Sequence, residues 1–580
     1  MRRHFATLAT IWRLASPYFS SEDRWAGRIL LAAVIAIELS IVGITVLLNS
    51  WNNVFYNALQ DRNWNAFIYQ LGYFSVLAAV FIFLAVYQLY LNQWLQIRWR
   101  RWMTRSYLDH WLVGANHYRM QLLGDAADNP DQRISEDIAQ FIAATLNIGL
   151  QLLNSCVTLF SFMIILWGLS AAAPLHLFGI TFSIPGYLLW AALIYAVAGT
   201  ALTHLIGRAL IALNFQQQRY EADFRFNLVR VRENSEQIAL LTGEPAERDR
   251  LLLRFGNVVA NWMAIMTRQK KLTFFTASYA QASVVFPFIM VSPAYFAGVV
   301  QLGGLMQSAN AFNRVQDALS VFVTLYRSLA EWRAVIERLS GFDHAIAAAR
   351  AATVAPPVIE IAPGEGAAMT LKDLTVRLPN GAPLVTASDL IIRAGDKVLV
   401  SGPSGVGKST LFRALAGIWP FGAGTVTVPK GSKVMMLPQR PYFPIAPLAD
   451  AVAYPAEPGT FDSARVAEVI AAVGLPALAP RIEEEAHWNR MLSLGEQQRL
   501  GIARAILLAP DYLFLDEATA SLDEPAEAAL YRLLEQRLAS TAVVSIGHRA
   551  TLAAFHRRSL SFDREGDKTW LREGRLAAAE

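Results

Sequence analysis

Ser401-Gly402-Pro403-Ser404-Gly405-Val406-Gly407-Lys408-Ser409-Thr410 decides how the C-terminal half of the chain folds. The apolar run before it, Lys397-Val398-Leu399-Val400, reads as a short buried strand, and Leu411 to Ala416 reads as the first turns of a helix. Strand, glycine loop and helix are the setting a phosphate-binding loop requires. Gly402, Gly405 and Gly407 let the backbone curl so that successive N–H groups, with Pro403, Ser404 and Val406 between them, face phosphate oxygens. The helix N-terminus, where Thr410 sits, adds partial positive charge at the same point. Lys408 reaches the β- and γ-phosphates, and the Ser409 hydroxyl holds Mg²⁺.

Further along, the chain supplies the other parts of a nucleotide site in order. Gln439 follows the apolar run Val434 to Leu437, where its amide reaches Mg²⁺ and the attacking water. Leu492-Ser493-Leu494-Gly495-Glu496 opens a helix, so Ser493, Gly495 and Glu496 form a second anion-binding N-terminus. Tyr512-Leu513-Phe514-Leu515-Asp516-Glu517 is an apolar strand ending in two carboxylates. Asp516 suits Mg²⁺, and Glu517 suits orienting or deprotonating water. Ala520-Ser521-Leu522-Asp523 follows. His548, after the strand Ala542 to Ile546, is placed to support charge developing on the γ-phosphate.

Together these motifs resemble an ATP-binding cassette: Walker A at 402–409, the Q-loop glutamine at Gln439, the signature at 492–496, Walker B at 512–516 with Glu517 after it, the D-loop at 520–523 and the switch histidine at His548. Leu494 and Glu496 depart from the commoner glycine and glutamine of the signature. Leu378-Pro379 stands roughly where an adenine-stacking aromatic is usual.

The N-terminal half has another composition. Over 580 residues, 54% are hydrophobic and 17% charged, with mean hydropathy +0.32, which is too apolar for an ordinary soluble protein. Six spans are expected, at about 29–48, 67–91, 148–169, 187–213, 272–290 and a more polar one at 293–326. The first reads as a retained signal anchor, because no small-residue cleavage site stands out after it. Arginines 98, 100, 101, 105, 119 and 133 lie between spans two and three, and Arg219 to Lys271 between spans four and five. The opposite loops are nearly free of Lys and Arg. Both termini and both long loops are therefore expected in the cytoplasm, with the spans continuing into them as helices. The same arginines account for the net charge of +5 without nucleic acid. The single cysteine, Cys156, excludes an intrachain disulfide, and no metal-ligand cluster surrounds it.

Inside the spans, ionisable and amide side chains are candidates for a cargo or proton path. Glu38 is mid-span in the first. Gln307, Asn310, Arg314 and Asp317 recur at three- and four-residue steps, so they share one helix face. The expected organisation is a membrane domain over 1–345, a Pro/Gly-punctuated linker over 346–366 (Val354-Ala355-Pro356-Pro357 and Pro363-Gly364-Glu365-Gly366), and an α/β P-loop domain over 367–580.

Asn129-Pro130-Asp131-Gln132-Arg133-Ile134 and Arg232 to Ala239 in the two long loops, with Trp419-Pro420 and Leu437 to Tyr442, make nearly the whole chain resemble the bacterial SbmA/BacA-like transporters with a fused cassette. The peroxisomal fatty-acyl half-transporters resemble it more distantly. This resemblance implies an exporter-type six-span bundle in the bacterial inner membrane, ATP and Mg²⁺ as cofactors, and a homodimer with two composite ATP sites. It also implies ATP-driven uptake of peptides or other hydrophilic cargo, cobalamin included. A proton-coupled permease with a regulatory cassette, resting on Glu38, and an exporter of lipid or acyl-CoA are the rival expectations. The six spans exclude a soluble repair or translation cassette.

Overall fold

The structure is a computed structural model and describes residues 2–124, 129–172, 175–177, 180–182, 184–354, 357–387, 389–565 and 568–574. It divides into two compact units: residues 1–106 with 131–340, and residues 107–130 with 341–580.

The first unit is helical. Its long helices are α1 (Arg24–Gln60), α2 (Trp64–Leu112), α4 (Ile138–Ala172), α5 (Tyr187–Glu233), α6 (Glu244–Phe296) and α7 (Leu302–Ala351); the short α3 (Asn116–Leu122) belongs to the second unit. As the arginine-rich loops lead one to expect, α2, α5 and α6 run unbroken well beyond their apolar stretches. Among the described residues, five helices are long and apolar enough to cross a membrane, ending with Glu244–Phe296. The start of the sixth expected span is corrected. Pro293 lies inside α6, which stops at Phe296, and Gly298, at φ +75°, makes the turn before α7. Helix α7, which carries the rest of the expected sixth span, is not among those five, and one of its faces is packed inward: Leu305, Phe312 and Val315 are buried with Phe162, Leu166, Leu188 and Val291.

In the second unit an eleven-stranded mixed sheet carries the site. Its strands are β1 (Glu360–Gly364), β2 (Ala368–Arg377), β3 (Pro383–Ala387), β4 (Leu390–Arg393), β5 (Lys397–Ser401), β6 (Gly422–Pro429), β7 (Val434–Leu437), β8 (Tyr512–Asp516), β9 (Ala542–Ile546), β10 (Arg558–Glu565) and β11 (Lys568–Gly574). The order is β1-β6-β2-β3-β11-β10-β5-β9-β8-β7, with β4 against β2. Strands β10, β5, β9, β8 and β7 are mutually parallel. Of these, β5, β9, β8 and β7 read as nearly continuous apolar runs because helices cover both faces of that part. On one face lie Leu411 and Phe412 of α8 (Lys408–Leu415); on the other lie Leu500 and Ile506 of α9 (Leu494–Leu508) and Leu530 and Leu534 of α10 (Glu524–Arg537).

Much of the segment read as a linker is regular. Helix α7 continues to Ala351, and β1 pairs in parallel with β6 from Glu360↔Thr425 to Gly364↔Pro429. Ala355 and Pro356 lie outside the described residues.

Candidate functional site

Four neighbouring parallel strands end side by side, and each delivers one part of the site. Register pairs Val400 of β5 with Ile546 of β9, Ile546 with Asp516 of β8, and Leu515 of β8 with Leu437 of β7. The loops leaving those ends carry, in the same order, the glycine loop, His548, Glu517 and Gln439. Binding outside the carboxyl ends of parallel strands is the general rule for open α/β sheets.

The glycine loop closes onto α8 with Gly407 as N-cap at φ +103°, and a Cβ there would lie 2.8 Å from both Leu384 and Val385. Gly405, at φ +77°, supplies the other left-handed step. The Lys408 ammonium is buried and donates to the carbonyls of Gly402 and Pro403, both at 2.9 Å; it lies 3.4 Å from His548 Nε2. Burial pulls the Lys408 amine below the usual lysine range, against the attraction of Glu517 and Asp516. Ser409 donates to Asp516 Oδ1 at 2.9 Å. Burial pushes the Asp516 carboxyl up, opposed by the Ser409 hydrogen bond and reinforced by Glu517. Glu517 occupies a left-handed backbone conformation, φ +51°, uncommon for a side chain of its size. Its two carboxylate oxygens face different partners: Gln439 Nε2 donates to Oε2 at 3.2 Å, and His548 Nε2 is 3.2 Å from Oε1.

These residues fit ATP and Mg²⁺. A hydroxyl and a carboxylate converging on one point are the hard oxygen donors Mg²⁺ takes alongside substrate phosphates. Lys408 and the N-terminus of α8 suit the phosphates themselves.

Comparison with known proteins agrees. Residues 14–296 match the family described as ABC transporter transmembrane region 2, and residues 385–520 match the family described as ABC transporter. The chain is 33% identical to the inner membrane ABC transporter ATP-binding protein YddA of Escherichia coli, over 92% of this chain and 94% of that protein. The protein is an ABC half-transporter. It is also 27% identical to the human lysosomal cobalamin transporter ABCD4, over 84% of this chain and 88% of that protein. Among solved structures, a bacterial Atm1-family ABC exporter with ATP bound shares the fold, with TM-score 0.69 and 16% identity over 93% of this chain and 94% of that one. The half-transporter thus joins a helical membrane domain of exporter-type fold to an ATP-hydrolysing, nucleotide-binding cassette.

The signature segment of the half-transporter stands apart from this cluster. Ser493 caps α9 in a reciprocal capping box: its backbone N–H and hydroxyl donate to Glu496 Oε2 at 2.8 and 2.7 Å, and the Glu496 N–H donates back at 3.4 Å. The two residues therefore satisfy each other, and among the described residues neither hydrogen-bonds to the glycine loop. Gly495 faces the D-loop; a Cβ on it would lie 3.3 Å from Leu522 Cδ2.

Two residues that the motifs did not single out tie these loops together. Gln498, buried, donates to the Gln439 carbonyl at 3.0 Å and accepts from the Ser521 N–H at 2.9 Å, bridging Q-loop and D-loop. Arg549, next to His548, donates to the carbonyls of Leu522 and Ala520 and to Glu527, whose other oxygen accepts from Thr519 at 2.5 Å. Each partner is a backbone group or a residue remote in sequence, so only the adjacency of Gln498 and Arg549 to the signature and to His548 signalled them.

The residues expected along a cargo path separate. Glu38 accepts from Gln88 Nε2 at 3.0 Å and from Asn154 Nδ2 at 2.7 Å, so its carboxylate is a satisfied acceptor joining α1, α2 and α4. Gln307 is taken up by α1: its carbonyl accepts from Asn49 and its side chain from Asn53 at 2.6 Å. Arg314 and Asp317 line a cavity of about 540 Å³ with Asn154, Thr158 and Thr45; Asn310 and Gln307 do not.

Proposed function

We propose that the half-transporter is an ATP-driven importer of peptides or similar hydrophilic solutes across the bacterial inner membrane, working as a homodimer with two composite ATP sites. The convergence of Lys408, Ser409, Asp516, Glu517, Gln439 and His548 at four strand ends is the observation that carries the ATPase part. In this reading the glycine loop, residues 402–410, wraps the phosphates. Ser409, Asp516 and Gln439 hold Mg²⁺, which when bound neutralises charge on the phosphate oxygens. Glu517 takes the proton of the attacking water at a carboxylate oxygen. His548, held between Glu517 and Lys408, supports charge on the γ-phosphate.

The separation of Ser493, Gly495 and Glu496 from the glycine loop supports the dimer, since a second copy can present that helix N-terminus to the phosphates. ATP then favours the closed pair by differential binding. The inner-membrane location, with cytoplasmic termini, rests on the arginine distribution and on the likeness to YddA. Polar cargo is supported by Arg314, Asp317, Asn154 and Thr158, which share one otherwise largely apolar cavity with Ile41, Phe74, Phe81 and Ile82. Uptake is supported by the SbmA/BacA-like motifs at 129–134 and 232–239, and the likeness to ABCD4, a cobalamin transporter, makes cobalamin the second cargo to try. The hydrogen-bonded state of Glu38 favours a structural role for it over proton carriage.

The test is uptake of a labelled antimicrobial peptide by cells carrying wild type or Lys408→Ala at matched expression. Uptake by wild type alone is expected. Equal uptake by both overturns the ATP-driven reading.

A further inference from the structure

The second unit contains a cavity outside the nucleotide site, of about 480 Å³. That volume is within the range of small-molecule sites. Its walls are largely apolar: Ile359, Ile361, Trp419, Val434 and Met436, with the last turn of α8 closing one side. The indole N–H of Trp419 is already spent on the Arg377 carbonyl at 2.8 Å, so the ring offers the cavity only its apolar face.

Arg119 of α3 also lines this cavity. It is 9% exposed and donates through Nη2 to the Gly417 carbonyl at 3.2 Å, while its Nε is buried with no acceptor. Among the described residues no carboxylate pairs with it. Leaving a buried guanidinium N–H without an acceptor is expensive, and the other buried arginines avoid it: Arg133 has Asp137, and Arg504 has the carbonyls of Tyr442, Ala451 and Val452. Burial holds Arg119 below the usual arginine range, which records that cost.

A chamber with apolar walls and one buried cation, whose Nε has no acceptor and which has no carboxylate partner among the described residues, selects its ligand by simple chemistry. An aliphatic chain fills the walls, gaining about 0.8 kcal/mol per buried CH₂. A single negative charge balances the single cation. A carboxylate matches the side of a guanidinium through paired N–H···O bonds. A phosphate dianion would leave one charge unmatched.

We propose that this cavity is a binding site for an aliphatic monocarboxylate of medium chain length, with the carboxylate on Arg119 and the chain against Trp419, Ile361 and Met436. The site is separate from both the ATP cluster and the membrane cavity. It joins α3, within the first long loop, to the end of the helix that the glycine loop begins, so its occupancy stiffens that junction.

The probe is 10,10,10-trifluorodecanoate, followed by fluorine NMR on the full chain in nanodiscs, with empty nanodiscs giving the lipid background. Saturable binding of one probe per chain above background is expected. Arg119→Gln should weaken it at least tenfold, Arg119→Lys should recover most of it, and 10,10,10-trifluorodecanol should bind equally to wild type and Arg119→Gln. A wall variant, Val434→Phe, leaves Arg119 in place and should also abolish binding, which guards against a folding defect at α3. Binding no greater than in empty discs, or binding indifferent to both Arg119→Gln and Val434→Phe, overturns the proposal.

Discussion

Replacing Glu517 by Gln isolates the proton-accepting group of the nucleotide site with the least disturbance to its surroundings. The two side chains have the same shape, and both neighbours of the carboxylate, Gln439 Nε2 and His548 Nε2, are 3.2 Å away. One oxygen survives to accept; the other becomes an amide that faces a donor, which costs about 1 kcal/mol for one lost hydrogen bond. Loss of a general base removes about 10²- to 10⁴-fold in rate, or about 2.7–5.4 kcal/mol of barrier. The chemical effect therefore exceeds the structural one. The backbone supplies a control, because Glu517 sits at φ +51°. Glu517→Gly removes the carboxylate and also relieves left-handed strain of roughly 1 kcal/mol. The assay is phosphate release by the full chain in nanodiscs, with retention of labelled ATP and a melting scan. Both variants should lose at least about a hundredfold in turnover, as removal of a base requires. Gln should retain ATP, and Gly should melt no lower than wild type. Turnover by Glu517→Gln within about tenfold of wild type would show that another group takes the proton.

Two further outcomes test the fold around the sites. His556 is buried, with its ring nitrogens 2.7 Å from the Leu552 carbonyl and 2.9 Å from Ser545 Oγ, and burial lowers its pKa. Below about pH 6.5 the unfolded chain takes the proton and the folded one resists it. Stability is thus complete above that pH and falls on acidification toward the folded value, by up to about 1.4 kcal/mol per pH unit. Melting curves between pH 8 and 5 should slope downward less for His556→Asn than for wild type; parallel slopes would refute the assignment. In the membrane unit, Asp137 is 1% exposed and accepts from Arg133 at 2.5 Å and from Arg338 at 2.9 and 2.6 Å. Asp137→Ala strands Arg133 in the interior and should cost about 3–5 kcal/mol, while Asp137→Asn keeps an acceptor and should cost less. Equal melting temperatures for the two variants would show that the pair is not what holds this turn.

The nucleotide site was legible because each of its parts is local. A glycine loop between strand and helix, or two carboxylates after an apolar strand, specifies backbone direction and side-chain chemistry within a few residues. The parallel sheet then brings the parts together at Val400, Ile546, Asp516 and Leu437. Gln498 and Arg549 escaped because their partners are carbonyls and N–H groups on other loops, and a backbone acceptor leaves no mark in composition. Glu496 shows the same limit from the other side. As a signature residue it was expected on phosphate, yet its carboxylate completes a capping box with Ser493, which the spacing Ser493-x-x-Glu496 also encodes.

In the membrane half, hydropathy located the long helices but not their neighbours. Helical periodicity put Gln307, Asn310, Arg314 and Asp317 on one stripe, but a stripe 11 residues long passes more than one environment. Its first turn meets Asn49 and Asn53 of α1, which satisfy Gln307 side chain and carbonyl together. Two turns on, Arg314 and Asp317 open onto the cavity. Glu38 follows the same logic: its amide partners lie 50 and 116 residues away, on α2 and α4. In an apolar surround a carboxylate selects such partners strongly, since an unpaired one is far costlier than the helix tilts that supply them. The three-helix junction at Glu38 is therefore a consequence of where the charge is placed, and the cavity beside Asn154, which lines it and donates to Glu38, inherits its polar wall from the same arrangement.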